Sequence, residues 1–247
     1  MTIQDTGYAP ERWEFDGEVS RVFDDMLARS IPQYTVMRDS VQALSREFVL
    51  SNSTVLDLGT SRGEMIAELI DANTEKRRVH YVGLEISPPM LEAARERFQA
   101  HISKGRVDIL EYDLREGLQA LFETSAIQQS VSLITAILTV MFIPVECRQK
   151  LLQDIYANLQ PGGAFIMVEK LLGEGARIDS LLVKEYYALK QMEGYSSEEI
   201  ERKRLSLQGV LVPGTASHHI ETLHRVGFQS VDCFWRWMNF AGFIAIK

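Results

Sequence analysis

The residues best suited to chemistry in this chain lie in one run, Val55 to Glu64, which reads VLDLGTSRGE. Apolar residues lead into Asp57, and two glycines, Gly59 and Gly63, stand four positions apart. The pattern predicts a buried strand over 54–58 that ends in a tight loop and opens a helix. Glycine has no Cβ, so the backbone at Gly59 and Gly63 can turn sharply and lie against a ligand that faces the helix N-terminus. Nucleotide-type ligands need that geometry. A dinucleotide site prefers G-x-G-x-x-G, and Ser61 takes the place of the second glycine, so that fingerprint is not met.

Later runs repeat the arrangement at the spacing of one β-α unit. Val79 to Glu85, VHYVGLE, is a second apolar run closing on an acid, where the end of the next strand presents a carboxylate to a ribose diol. Asp108 to Asp113, DILEYD, places Asp113 to receive an adenine amino group. Leu159 to Lys170, LQPGGAFIMVEK, reads as a helix end, a Pro-Gly-Gly turn and a strand. Singly, each acid is equally readable as a solvated loop-end carboxylate. In this order the four elements form the pattern of class I S-adenosylmethionine (SAM) enzymes.

The elements that must position these residues follow from periodicity. Phe15 to Arg29 carries Val19, Val22, Phe23, Met26 and Leu27 at helical spacing, Ile31-Pro32 breaks it, and a second amphipathic helix runs from Tyr34 to Phe48. Strands are predicted near 54–58, 79–85, 106–111, 131–138 and 163–169 with helices between them, which implies a mostly parallel sheet covered on both faces. An inserted helical stretch between Gly173 and Gln208 takes the place of a substrate cover. A helix at 216–226 and strands at 228–237 and 240–246 complete a seven-stranded α/β, Rossmann-like sheet with an antiparallel C-terminal edge hairpin.

Composition sets the bounds. The 247 residues, 46% of them apolar, suit a single SAM-binding domain with additions. With 26 basic and 34 acidic residues the formal charge is -8, which opposes non-specific attraction to phosphate backbones and makes direct nucleic-acid binding an unfavoured function. The short basic runs Lys76–Arg78 and Arg202–Arg204 read as solvated faces. Cys147 and Cys233 lack metal or redox spacing and predict reduced thiols in a cytoplasmic protein, and no metal site is expected from the scattered histidines. No apolar run approaches the ~20 residues of a membrane helix, and the N-terminus is polar and acidic rather than signal-like.

The chain resembles the carboxy-S-adenosylmethionine synthase family over nearly its whole length. The resemblance lies in ARSIPQY (Ala28 to Tyr34), VLDLGTSRGE, the Ser87-Pro88-Pro89-Met90 turn, DILEYDLRE, LQPGGAFIMVEK, GYSSEEIERKR (Gly194 to Arg204) and the terminal WRWMNFAGFIAIK. It implies the class I methyltransferase fold, a homodimer, and conversion of SAM and prephenate into carboxy-SAM for tRNA wobble-uridine modification. By position it implies Tyr34 at the SAM amino-acid end, Gly59 against the ligand, Glu85 (in place of the usual Asp) on the ribose, and Arg204 on the carboxylate of the reacting carbon. SAM is thus the expected cosubstrate, lined by Tyr34, Asp57, Gly59, Ser61, Gly63, Glu85, Ile86, Asp113, Leu114 and Ile137.

The fourth strand departs from the family. Where the synthase carries a polar Asn-Phe-Thr-Leu-Gln-Phe run, Ile137 to Phe142 reads ILTVMF, and paired histidines of the cover give way to Glu185-Tyr186-Tyr187. An apolar wall beside a sulfonium, with Tyr186 or Tyr187 as a face for its cation, favours displacement by a neutral amine. Either an external apolar or amine substrate is methylated, or the amine is SAM's own and SAM cyclises to azetidine-carboxylate and methylthioadenosine. Three readings follow: a SAM enzyme of altered chemistry with Arg204, Tyr34, Ile137 and Tyr186 at its centre, a true carboxy-SAM synthase, and a catalytically silent SAM-binding protein.

Overall fold

A computed structural model describes residues 17–124, 127 and 129–247. The expected helix start at Phe15 and the polar segment before it lie outside these residues, as do the side chains of Val19 and Val22. Five parallel strands, β1 (Thr54–Leu58), β2 (His80–Glu85), β3 (Val107–Glu111), β4 (Val131–Ile137) and β5 (Leu159–Leu172), lie in the order β3-β2-β1-β4-β5. Between them run α3 (Glu64–Ala72), α4 (Pro88–Arg97), the single turns α5 (Gln99–Ile102) and α6 (Gln119–Phe122), and α7 (Val145–Asn158). After α10 (Ala216–Val226), the hairpin β7 (Ser230–Trp237) and β8 (Phe240–Ile246) closes the sheet, β8 lying antiparallel between β5 and β7. The fold is the α/β arrangement that the sequence predicts.

The period of two along each strand divides the core between the sheet faces. Leu56 and Leu58 of β1 pack with Leu151, Leu152 and Ile155 of α7 on one side. Val55 packs with Met37 and Val41 of α2 (Tyr34–Phe48) and with Ile66 and Leu69 of α3 on the other. Each such fully buried aliphatic side chain contributes about 1.5 to 3 kcal/mol.

Two differences from the sequence reading are local. β5 begins at Leu159, where a helix end and turn were expected, because a register shift between Val131 and Leu133 lets Leu159 pair with Val131. The two-residue strand β6 (Gly214–Thr215) pairs with the end of β5 and is too short to leave a periodic signal.

The cover is helical as predicted: α8 (Ala176–Met192) and α9 (Ser197–Ser206). α9 starts where it does because Ser196 and Glu199 form a reciprocal capping box, each side chain taking the other's backbone N–H. The cover is fastened to α1 (Gly17–Ser30) by a 3.1 Å hydrogen bond between Ser30 Oγ and Tyr195 OH, with the Arg29 guanidinium 4.6 Å from the Tyr195 ring centre.

The loop after β1 is left-handed at Gly59 (φ 68°), Ser61 (φ 53°) and Gly63 (φ 84°). A Cβ at Gly63 would stand 2.4 Å from the Phe98 ring, and one at Gly59 2.6 Å from Thr139. Backbone strain and close packing both demand glycine at these positions, whereas Ser61 holds the same conformation without it. Gly63→Ala is expected to destabilise the fold by about 2 to 3 kcal/mol in denaturant melts, while Ser61→Gly stays within about 1 kcal/mol of the parent. Equal melts for Gly63→Ala and the parent would show that Phe98 yields to the added methyl.

Candidate functional site

The parallel strands all end at one side of the sheet, where the switch in strand order between β1 and β4 opens a crevice. A cavity of about 1470 Å³ lies there, roofed by α8 and α9. Tyr34, Asp57, Gly59, Ser61, Glu85, Ile86, Asp113, Leu114, Ile137, Tyr186 and Arg204 all line it. Gly63 does not: it is the left-handed N-cap of α3, set against Phe98, so packing rather than ligand contact fixes it.

Glu85 ends β2 with its carboxylate already oriented. Its Oε2 accepts the Ser61 N–H at 2.9 Å, and its Oε1 accepts those of Ile86 at 2.8 Å and Ser87 at 2.9 Å. Asp113 follows β3, where its carboxylate is closed on the Arg115 guanidinium, which holds its pKa below the usual carboxylate range. An adenine amino group would therefore share Asp113 with Arg115.

Asp57 is 2% exposed, and burial pushes its pKa up to about 6, although Thr135 Oγ1 donates to it at 2.6 Å. Beside it, Arg38 of α2 is 6% exposed and forms an ion pair with Glu68 at 2.9 Å. Arg38 is a cavity residue that sequence reasoning missed, because one arginine on an amphipathic helix looks like any solvated position.

β4 ends at Ile137, and Leu138 follows at φ 58°, an uncommon conformation for a leucine. A short 3-10 turn, Val140–Phe142, buries Met141 with its sulfur 3.5 Å from the Lys170 N–H. Ile137, Leu138 and Met141 thus present an apolar wall beside Gly59 and Thr139. Behind the turn, fully buried Glu169 accepts the Val140 N–H at 3.0 Å, and burial pushes its carboxyl up to about 8.

Tyr186 is buried against Phe240, ring centres 5.3 Å apart. Its ring already carries the Lys170 ammonium at 4.9 Å and that of Lys190 at 5.7 Å. Lys203 also lines the cavity, 3.0 Å from Met26 Sδ. Burial, reinforced by Lys190, lowers the pKa of Lys170 to about 8 and of Lys203 to about 7. Arg204, on the next residue of the same helix, reaches the cavity edge with its fork closed on Glu201 at 2.6 and 2.7 Å.

Comparison with known proteins places the chain in a family. A family model described as "Methyltransferase domain" matches residues 56–165. The carboxy-S-adenosyl-L-methionine synthase of Nautilia profundicola is 36% identical over 240 residues, covering 96% of this chain and 95% of that one. The enzyme of the same name from Methylococcus capsulatus is 33% identical over 233 residues, covering 94% and 93%. The chain belongs to the carboxy-S-adenosyl-L-methionine synthase family. Human N-acetylserotonin methyltransferase, solved in complex with SAM, shares the fold with a TM-score of 0.53 at 16% identity, over 93% of this chain and 59% of that one.

Membership of the carboxy-SAM synthase family sharpens one correction. Ile137 and Met141 give an anionic second substrate no polar partner on the fourth strand. In the structure Lys170, Lys190 and Lys203 line the same cavity from β5, α8 and α9, positions too far apart in sequence to read as one cluster.

Glu169 makes this region sensitive to pH. Its folded pKa of about 8 lies above the ordinary value of 4.5, so the folded state binds more protons between those limits and stability falls as pH rises through them. Thermal melts of Glu169→Gln are expected to decline less in Tm between about pH 5 and 8 than those of the parent. The same slope in both proteins would mean that Glu169 is ionised in the fold.

Proposed function

We propose that this chain binds SAM in the crevice, with the adenosine over Gly59 and Ser61, the ribose on Glu85 and the base between Ile86 and Leu114, next to Asp113. The residues fit the ligand: three backbone N–H groups orient the Glu85 carboxylate, and the left-handed loop brings bare backbone to the cavity. Hydrogen bonds from ribose hydroxyls to a carboxylate are charge-assisted, so Glu85→Ala is expected to weaken calorimetric binding of S-adenosylhomocysteine by at least about tenfold. Unchanged affinity would remove Glu85 from the site.

The chemistry we infer is displacement at the sulfonium carbon by an amine, in its narrower form the cyclisation of SAM. The observation behind it is the apolar wall of Ile137, Leu138 and Met141. When a neutral amine displaces a thioether, positive charge spreads from sulfur toward nitrogen, and a site that excludes water favours that transition state. In the intramolecular form the α-amino nitrogen bonds to Cγ, the Cγ–S bond breaks, methylthioadenosine leaves as a neutral thioether, and one proton leaves the nitrogen. Asp57 at about 6 and Lys203 at about 7 are the groups nearest neutrality to receive that proton. An external amine attacking the methyl group is the alternative form, for which the cavity has room.

A second reading, carboxy-SAM synthesis from prephenate, has two supports of its own. The curated relatives carry that name over nearly the full length of this chain, and kinship favours this reading over any altered chemistry. Lys170, Lys190, Lys203 and the edge residue Arg204 form a set of cations suited to a dicarboxylate. A single domain, a homodimer and a cytoplasmic place of action accompany either reading and rest on composition and the family resemblance.

Incubation with SAM alone, followed by mass spectrometry, separates the readings. Azetidine-carboxylate and methylthioadenosine are expected without any acceptor, and Ile137→Asn, which admits water beside the sulfonium, is expected to slow their formation. Carboxy-SAM formed only when prephenate is added would establish the second reading instead. Binding without turnover under both conditions would return the protein to a silent SAM-binding role.

A further inference from the structure

Arg38 is placed to do more than brace α2 against α3. Its Nε lies 2.9 and 3.0 Å from the two oxygens of Glu68, and its Nη1 donates to Tyr34 OH at 3.2 Å. Gln42 donates to the same Glu68 carboxylate at 3.1 Å, so the ion pair is held from both sides. The remaining nitrogen, Nη2, is buried and has no hydrogen-bond partner among the described residues. A guanidinium donor out of water and unpaired is costly, and a ligand carboxylate oxygen would satisfy it with a charge-assisted hydrogen bond.

The surroundings identify the ligand group. Arg38 lines the cavity together with Tyr34, Asp57 and Gly59. Asp57 and Arg38 are near enough to feel each other's charge, yet the side chain that donates to Asp57 is Thr135, not Arg38. A cation with one unpartnered nitrogen and a buried carboxylate, side by side at the end of β1, complement a group that carries both charges on one carbon. That group is an α-amino acid. Arg204 offers no comparable edge, because its fork is spent on Glu201 at the cavity rim.

We propose that Arg38 anchors the α-carboxylate of the SAM amino-acid end, with Asp57 facing the α-amino group. The inference rests on the reading that SAM occupies this crevice and is independent of what happens at the sulfonium. It makes α2 part of the binding machinery: Glu68 and Tyr34 fix the guanidinium plane, and the ligand completes its hydrogen bonding. A lysine could supply the charge but not the planar fork shared between Glu68 and a ligand.

The test compares two ligands that differ in the amino-acid end. The parent protein is expected to bind S-adenosylhomocysteine at least about tenfold more tightly than methylthioadenosine, which lacks that end. Arg38→Gln is expected to close most of this gap by weakening S-adenosylhomocysteine while leaving methylthioadenosine unchanged. A gap that persists in Arg38→Gln, or an equal loss for both ligands, would overturn the assignment, the latter marking a purely structural arginine. If Arg38→Gln does not fold, Arg38→Lys and the parent's preference for SAM over decarboxylated SAM serve instead. Equal parent affinity for those two, or a preference undiminished in Arg38→Lys, would overturn it. Failure of the parent to bind any of these nucleosides would instead refute the SAM reading itself.

Discussion

Glu85 accepts backbone N–H groups from Ser61, Ile86 and Ser87 and so ties the loop after β1 to the loop after β2. The two loops end adjacent parallel strands, where the Thr60 N–H also reaches the Leu84 carbonyl at 2.9 Å. A carboxylate accepting several backbone donors is held rigidly, and it holds them in turn. Ser61 can therefore keep a left-handed conformation that would otherwise cost about 1 to 2 kcal/mol. The glycines on either side remove the side chains that would collide with Thr139 and Phe98, and α3 begins where the loop releases the chain.

From this corner the cavity is built of two unlike halves. The half made by the sheet is apolar where β4 ends, with Ile137, Leu138 and Met141. The half made by the cover brings Lys190 and Lys203 in beside Lys170. Burial drives Lys170 and Lys203 toward their neutral forms, and the nearby Lys190 charge pushes in the same direction. Such a cluster binds an anion when protonated and accepts a proton when neutral.

Much of the site could be read from residue spacing. The acids at strand ends, the glycine pair and the position of the cover are local features, set by where an apolar run stops and a turn begins. Asp57, Glu85, Asp113 and Ile137 line the cavity for that reason. What spacing cannot show is whether a charged group is already engaged. Asp113 turns back onto Arg115 two residues on, and Arg204 onto Glu201 one helical turn away. Arg38, Lys170, Lys190 and Lys203 face inward only because four separate elements converge, and nothing in a single element marks the inward member.

The sequence by itself determined the α/β class, the parallel order of strands and helices, the helical cover and kinship with carboxy-SAM synthases. These follow from hydrophobic period and from short motifs whose residues are neighbours along the chain. The tertiary structure alone decided that Gly63 serves packing against Phe98, that β8 enters between β5 and β7, and that the cavity carries an apolar wall and a lysine cluster together. Those features depend on contacts between residues far apart in sequence, where burial and charge are properties of the assembled neighbourhood and of no residue taken singly.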